Sequence, residues 1–250
     1  MSMVRLTIHR ALLGIAVIVM SGCGWSLPEW QAKAIHDDPG SYKLAKSCGD
    51  DPEPKQNVKL DLIRQLMDSG KLYAALAHLD EARSLSLQSS YLRAEILRRT
   101  DRPEMAAPLY RELLESCMVG KGYHGLGLIA GRNRQINEAI DFLQKAANEL
   151  PVDTRVRNDL GYALLLGGQF DSARNEFLTA LELDGGDRLA ASNMFLLLSV
   201  MDKEQEIRVF STHMKIDSET MEQLRAQAEE IKATLKASGR IDMLREQGLL

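Results

Sequence analysis

The sequence has few aromatic residues and little that favours β-structure. Phe, Trp and Tyr together make up 5% of the 250 residues, whereas 45% of the residues are hydrophobic. Much of that hydrophobic content is Ala and Leu, which have high helix propensity. From about Val58 to Val200 the chain shows no Val/Ile alternation of the kind typical of strands. The composition therefore predicts an all-α protein.

The chain also lacks an excess of positive charge. Its formal net charge is −4 at pH 7, and loss of residues 1–22 would remove two arginines and no acidic residue. Proteins that bind nucleic acid usually present a basic face. We therefore expect no nucleic-acid partner.

No pattern in the sequence indicates an active site or a metal site. The histidines do not have the spacing of metal ligands, and there is no G-x-S-x-G nucleophile elbow. The Gly-rich stretch 120–132 has no strand before it, and Lys121 is followed by Gly rather than Ser or Thr, so it is not a phosphate-binding loop. The sequence predicts a protein that is not an enzyme, with no catalytic residues, no cofactor and no metal.

The N-terminal apolar run is too short to cross a bilayer. Ala11–Met20 is ten residues long, which as a helix spans about half of a ~30 Å hydrocarbon layer. Arg5 and Arg10 form a basic lead, and small residues follow the run. This arrangement is typical of a secretory signal peptide.

The end of that segment, Met20-Ser21-Gly22-Cys23, resembles a bacterial lipobox. The resemblance implies a lipoprotein signal peptide over residues 1–22 and a mature chain that begins at Cys23, with acyl chains such as palmitate on the thiol. Several acyl chains anchor a protein firmly to a membrane. Because Gly24 is not Asp, the resemblance also implies the periplasmic face of the outer membrane. An ordinary signal peptide followed by an unrelated cysteine is the alternative.

Cysteine and proline are scarce, and their positions are informative. Four of the seven prolines lie in residues 23–55, and Pro interrupts helices, so this segment is interpreted as a lipidated tether. In an oxidising compartment the remaining cysteines, Cys48 and Cys117, are candidates for a disulfide between the tether and the helical body. Two free, buried thiols are the alternative, because connectivity does not follow from sequence.

Two adjacent segments of 34 residues, 120–153 and 154–187, resemble each other. Leu126-Gly127 aligns with Leu160-Gly161, Ala139 with Ala173, Leu143 with Phe177, and Ala146 with Ala180. The pattern resembles the tetratricopeptide repeat. Weaker copies occupy about 56–86 and 87–119, and a degenerate copy starts at 188, so the repeats extend over 56–200.

The repeat resemblance implies an all-α, right-handed solenoid of helix-turn-helix pairs. Residues 201–250 are expected to form C-terminal capping helices, with a helix that begins at Asp217-Ser218 and ends at Gly239. A coiled-coil seam is the alternative for this segment, although it is short for one.

In tetratricopeptide proteins the first helices line a concave groove that takes a peptide or a partner helix. Transfer of the family's groove positions onto this chain gives Tyr91, Arg99, Lys121, His124, Arg132, Arg155, Asn158 and Tyr162, together with Glu95, Leu128 and Leu166. Because Arg binds carboxylates in a bidentate manner, we expect a groove for an acidic or C-terminal peptide segment. The alternative is that the basic residues are ordinary exposed side chains.

The lipobox, the Pro-rich tether and the repeats together resemble the TadD-like lipoproteins of tight-adherence (Flp) pilus assembly. The resemblance implies a scaffold that binds an outer-membrane secretin or another pilus component while the lipid on Cys23 holds it at the membrane. A type IV pilotin or a β-barrel assembly module would have the same architecture. A periplasmic cell-wall enzyme or a thiol-active protein is a further alternative, and thiol activity would need an exposed, low-pKa Cys117.

Overall fold

The computed structural model describes residues 54–82 and 86–239, which form eleven α-helices and no strand. The predicted all-α fold class is confirmed. The helices are α1 Pro54–Asp68, α2 Leu72–Ala82, α3 Leu87–Arg99, α4 Pro103–Leu113, α5 Val119–Arg132, α6 Ile136–Glu149, α7 Thr154–Leu166, α8 Phe170–Leu183, α9 Arg188–Val200, α10 Glu204–Met214 and α11 Ser218–Ala237.

Several predictions fall on the part of the chain that is not described. The signal peptide, Cys23, Cys48 and the tether up to residue 53 lie outside the described residues, as do residues 240–250. They stay predictions. Within the described ranges, no helix combines the length and the apolar character needed to cross a membrane.

The helices pack in chain order as antiparallel pairs, α1/α2 to α9/α10. Each second helix also packs on the first helix of the next pair. Successive first helices touch one another, whereas no two successive second helices are in more than marginal contact. The first helices α1, α3, α5, α7 and α9 therefore form the inner side of the stack, and the second helices form its outer side.

The same backbone turn joins the two helices of every pair. Its central residue has a left-handed conformation, with φ between 56° and 76° at Gly70, Asp101, Arg134, Gly168 and Asp202. The next amide then bonds to a carbonyl five residues back, as in Lys71 to Leu66 at 2.8 Å and Gln169 to Leu164 at 2.9 Å. This is the Schellman motif, which satisfies carbonyl groups that a helix end leaves without partners.

The helices of the third and fourth pairs cross closely because glycine in one faces a bulky residue in the other. A Cβ atom added to Gly127 would lie 2.7 Å from Leu143 Cγ, and one added to Gly161 would lie 2.6 Å from the Phe177 ring. No side chain larger than hydrogen fits at these two positions without movement of its neighbour. The Leu-Gly element of the repeat is therefore a packing element.

The fifth pair has the opposite arrangement of sizes. One repeat length after Gly161 stands Phe195, and one repeat length after Phe177 stands Ser211. The small residue Ala173 is likewise replaced by Ile207. Phe195 and Ile207 are almost fully buried, so the degenerate sequence still forms a packed pair, although α10 contacts α9 less extensively than the other second helices contact their partners.

Helix α11 covers the end of the stack. Every residue of α9 from Asn193 to Val200 is buried, which requires cover on all sides. Helix α11 packs on α9 through a buried stripe of four residues, Leu224, Ala228, Ile231 and Leu235, and its remaining faces are mostly exposed and polar. A helix of this kind closes a solenoid against water.

Candidate peptide-binding face

The eight residues predicted to line a groove all lie on the first helices of three successive pairs. Tyr91 and Arg99 belong to α3; Lys121, His124 and Arg132 to α5; and Arg155, Asn158 and Tyr162 to α7. Because Lys121 and Arg155 are one repeat length apart, they occupy equivalent places on α5 and α7. The structure therefore places the eight candidate residues on the inner side of the stack. Only some of them belong to one group of interacting side chains.

Asp153 links the two equivalent cations of this face. Lys121 Nζ lies 2.7 Å from Asp153 Oδ2, and Arg155 Nε lies 3.7 Å from Asp153 Oδ1. Asp153 also caps α7, since its carboxylate accepts from the backbone amides of Arg155 and Val156. Burial alone would raise the pKa of Asp153, but the hydrogen bond and charge of Lys121, with Arg155, hold it below its usual value.

A second link between α5 and α7 lies beside the first. His124 Nε2 is 2.7 Å from Asp159 Oδ2, and the two side chains are 12% and 27% exposed. In this place a neutral imidazole with its proton on Nε2 donates to the carboxylate, and so does an imidazolium. His124 thus joins two first helices and shows one edge to solvent.

Glu95, Arg98 and Tyr110 form a hydrogen-bonded network next to His124, in which Tyr110 is buried and the two charged residues are half-buried. Glu95 accepts from the Tyr110 hydroxyl and from Arg98 Nη2, the latter at 2.8 Å. Burial works to raise the pKa of Glu95, but the charge and hydrogen bond of Arg98 and the hydrogen bond of Tyr110 act together against it, so the pKa is lowered. Burial, followed by the charge of Glu95, raises the pKa of Tyr110. Tyr110 therefore stays neutral and fixes the carboxylate.

Tyr91 lies near enough to Glu95 and Asp153 for both charges to act on the pKa of its hydroxyl. Its pKa is raised mainly by burial and then by the charge of Glu95, and the charges of Arg155 and Asp153 also act on its hydroxyl. We call the set Tyr91, Glu95, Arg98, Lys121, His124, Asp153, Arg155 and Asp159 the inner charge cluster. Its members come from α3, α5 and α7 and from the turn before α7.

The other predicted residues do not join the inner charge cluster. Arg99 donates to the backbone carbonyl of Met67 at 3.0 Å, and Arg132 pairs with Asp101 in the α3/α4 turn. Both lie at the last residue of their helices. Tyr162 is half-buried and packs against the C-terminal hydrophobic core.

Asn158 is only 2% exposed, and its side-chain oxygen accepts from Asn193 at 2.9 Å. It joins α7 to α9 and has almost no surface for a partner. Of the further family positions, Glu95 belongs to the inner charge cluster, while Leu128 is half-buried on α5 and Leu166 half-buried on α7.

The charges of the cluster are balanced. Three cations, Arg98, Lys121 and Arg155, accompany three carboxylates, Glu95, Asp153 and Asp159, when His124 is neutral. The sequence analysis predicted Lys121 and Arg155 for this face, but not Arg98, Asp153 or Asp159. Asp153 carried a sequence signal, because Asp before a helical segment is a preferred N-cap. The arrangement offers both hydrogen-bond donors and acceptors to a bound segment.

Neither the cysteines nor the acidic residues form a second chemical site in the described part of the chain. No group of three or more His, Cys, Asp or Glu residues there is placed to hold a metal ion. Cys117 is exposed and disulfide-bonded, so in this form it offers no thiolate. Cys48 lies outside the described residues, and its pairing with Cys117 stays a prediction.

The repeat architecture is matched by known proteins. The tetratricopeptide repeat profile matches residues 124–188. TPR repeat-containing protein PA4299 of Pseudomonas aeruginosa is 34% identical over 221 residues, which are 88% of this chain and 84% of that protein. The chain belongs to the tetratricopeptide-repeat family. The predicted repeat resemblance is confirmed.

Solved structures of tetratricopeptide-repeat architecture show the same fold. A structure of pilF from Pseudomonas aeruginosa is 19% identical, with a TM-score of 0.57 over 76% of this chain and 90% of that one. TTC0263, a thermophilic tetratricopeptide-repeat protein of Thermus thermophilus, is 19% identical, with a TM-score of 0.52 over 70% and 98% of the two chains. At these identities the likeness concerns the fold alone.

Proposed function

We propose that this tetratricopeptide-repeat protein is a scaffold that binds a segment of a partner protein on its inner face. Proteins of this fold are typically interaction scaffolds rather than catalysts. The observation that carries the proposal is the inner charge cluster, in which the Arg155 side chain is 73% exposed beside half-buried Tyr91, Lys121 and His124. Exposed charge next to ordered aromatic and polar groups suits recognition of an extended polar segment.

The proposed location is the periplasmic face of the outer membrane, with Cys23 as the lipid anchor. The proposed task is assembly of a tight-adherence (Flp) pilus and its secretin. Support comes from the lipobox at Met20-Ser21-Gly22-Cys23, the Pro-rich tether and the resemblance to TadD-like lipoproteins. The lipid would hold the stack at the membrane while the inner face binds the secretin or another pilus component.

Fractionation and co-purification test the location and the partner together. In the native bacterium we expect the wild-type protein to carry acyl chains, to sediment with outer membranes and to co-purify with a secretin or pilus component. Cys23→Ser should lose the acyl chains and the membrane fraction. Retention of Cys23→Ser in the outer membrane would contradict the lipid anchor, and recovery of β-barrel assembly proteins or a type IV pilus machine would replace the proposed task.

A variant of the inner face tests the binding site. Arg155→Glu reverses an exposed charge, so we expect it to weaken partner co-purification while the protein stays folded and in the membrane fraction. Lys59→Glu makes the same charge change at an exposed position of α1 and serves as the control. Equal recovery of partner with both variants would place the binding site elsewhere.

A further inference from the structure

A second concave surface lies on the outer side of the stack, away from the inner charge cluster. It is bounded by α8 and α10, has α9 at its floor, and encloses a volume of about 880 Å³. We call it the outer groove. Its apolar lining comes from Leu178 of α8, Met194 and Leu198 of α9, and Val209 and Phe210 of α10.

The walls of the outer groove expose apolar side chains to water. Val209 is 70% exposed and Leu178 is 43% exposed, while Met194 and Leu198 beneath them are buried. Isolated exposed apolar residues are ordinary on protein surfaces, but several that line one concavity mark an interaction site. The combination of exposed walls and a buried apolar floor therefore needs an explanation beyond folding.

The departure of the fifth pair from the repeat pattern accounts for the groove. At the crossing of α9 and α10, Phe195 stands where the third and fourth pairs have glycine, and Ile207 stands where they have alanine. Ser211 stands where the fourth pair has Phe177. A different set of side-chain sizes at a crossing changes how closely two helices pack. Consistent with this, α10 contacts α9 less extensively than the other second helices contact their partners, and the space opens on its α8 side.

The carboxylates that line the outer groove are each paired with a basic side chain, whereas some of the basic residues there have no such partner. Glu206 bonds to Arg174 at 2.7 Å, Glu204 bonds to Arg225 through both oxygens at 2.6 and 2.9 Å, and Asp202 bonds to Lys232 at 2.6 Å. Lys203, Arg208 and His213 also line the groove, and none of them has an ion pair within the described residues. Basic side chains without an ion pair favour an occupant that supplies carboxylates.

We propose that the outer groove binds an amphipathic helix of a partner protein, with apolar side chains toward Val209 and Phe210 and carboxylates toward Lys203 and Arg208. A groove that follows an eleven-residue helix such as α10 is about 16 Å long. That length accommodates apolar side chains three and four residues apart on one face of a helix. The site is distinct from the inner face, and the proposal does not rest on the function proposed for that face.

A pair of synthetic peptides tests the proposed chemistry on the full chain. Each has about sixteen residues, with Leu at every third or fourth position; one carries Glu at the flanking positions and the other carries Lys. In fluorescence anisotropy, the Glu peptide should bind about tenfold or more tightly than the Lys peptide, and salt should weaken its binding. Equal affinity for the two peptides would overturn the proposal.

Matched variants locate the site. Val209→Glu and Arg208→Glu should each weaken binding of the Glu peptide about tenfold or more. Val152→Glu, at a residue that is 73% exposed, and Lys236→Glu, on exposed α11, should leave binding unchanged. All four positions are exposed, so folding is expected to persist and is checked by thermal melting. Loss of binding in the two controls, or none in the first two variants, would contradict the assignment.

Photo-crosslinking in the native bacterium then tests whether such a helix occupies the groove. A photoreactive amino acid at position 209 should yield a crosslink that maps to an amphipathic segment with acidic residues at its edge, and the same probe at position 152 should not. A crosslink from position 209 to a second copy of this chain or to lipid would contradict the proposed occupant. Equal crosslinking from both positions would contradict a specific site.

Discussion

At the scale of single residues, Asp153 has two structural roles, of which only one follows from the local sequence. It caps α7 through two backbone amides, and it holds Lys121 of α5 at 2.7 Å. The cap is local and follows from residue order. The ion pair spans 32 positions in sequence and depends on how the third and fourth pairs stack, so it could not be predicted from the local pattern.

The charge of Asp153 should make stability depend on pH. Its pKa is lowered in the folded protein, so the stabilisation is present above the unfolded pKa of about 3.9 and is lost as pH falls through the lower, folded value. Asp153→Asn keeps the cap, because Asn caps as well as Asp. We expect it to lower the free energy of unfolding by about 1 kcal/mol at pH 7, with the difference disappearing in acid.

Urea unfolding at several pH values measures that difference, and a double-mutant cycle with Lys121→Met separates the ion pair from other effects. Lys121→Met should cost less stability in the Asp153→Asn background than in the wild type, by about 0.5 kcal/mol or more. Additive losses, or a difference that does not change with pH, would show that the ion pair contributes nothing.

Two glycines of α5 should respond to alanine in opposite ways. A Cβ at Gly122 would lie 2.7 Å from the backbone carbonyl oxygen of Tyr110, whereas one at Gly131 would have no atom nearer than Ala139 Cβ at 3.8 Å. Because backbone cannot easily move aside, Gly122→Ala should destabilise by about 1–3 kcal/mol. Gly131→Ala should gain up to about 1 kcal/mol from helix propensity. Denaturant midpoints with equal slopes measure both changes, and a shift in the same direction would refute the packing argument.

Asn158 shows why residue-level predictions of the site were incomplete. The repeat pattern placed it correctly on a first helix, but it bonds to Asn193 and is 2% exposed. One residue turns about 100° around a helix axis, so small differences in register decide whether a side chain faces a partner or a neighbouring helix. The repeat pattern predicts which helix of the stack a residue lies on. Only the contacts in the structure show whether its side chain is exposed.

At the scale of elements, the fifth pair shows that the fold tolerates an exchange of large and small side chains between the two helices of a pair. Its sequence departs from the repeat pattern in the second helix, and the structure still forms a pair with the same left-handed turn at Asp202. The sequence predicted that the second helix of this pair, α10, would not match the repeat pattern. It could not predict the outer groove, because that space depends on the separation of α8 and α10.

Helix α11 is expected to be essential as a cover for α9. Ile231 is 6% exposed, and a carboxylate at that place would be buried without a partner, which costs several kcal/mol. Ile231→Asp should therefore expose the α9 surface, increase binding of an apolar dye and promote association. Gln227→Asp adds the same charge at an exposed position of the same helix and should behave like the wild type in dye binding and size-exclusion chromatography. If Ile231→Asp and Gln227→Asp gave the same dye binding and the same elution volume, the result would contradict a covering role for α11.

At the scale of the whole molecule, the described residues do not share one core. Their buried apolar residues fall into three clusters, a small one in α1–α3, a second in α3–α5 and a much larger one that extends from α5 to α11. Tyr91 packs against both of the first two clusters. In repeat proteins stability is approximately a sum over units and their interfaces, so it should be uneven along this chain.

Hydrogen exchange should report that unevenness. We expect the amides of α1 and α2, which depend on a small cluster, to exchange before those of α7 and α9 in the large one. Local opening free energies range from near zero up to the global value. Mass spectrometry of exchanged peptides measures the order, and exchange of α9 as early as α1 would indicate a single cooperative unit.

The all-α class and the repeat family followed from the sequence, because both depend on short-range regularities. Ala and Leu favour helix, and Leu-Gly recurs one repeat length apart from Leu126-Gly127 to Leu160-Gly161. The balanced charge of the inner face did not follow, because the carboxylate that pairs with Lys121 lies in the turn before α7 and the one that contacts His124 lies on the next first helix.

The left-handed turn inside each pair bears on how such a chain can change length. Its closing bonds join backbone atoms, and its central residue is Gly, Asp or Arg in different pairs. A crossover between the gene segments that encode two successive turns would delete or duplicate two helices, one from each side of a turn. The turn formed at the crossover point would again be intact. The protein can therefore lose or gain helix pairs without needing a new connecting turn. Selection would then act on the surfaces that the rearranged pairs expose.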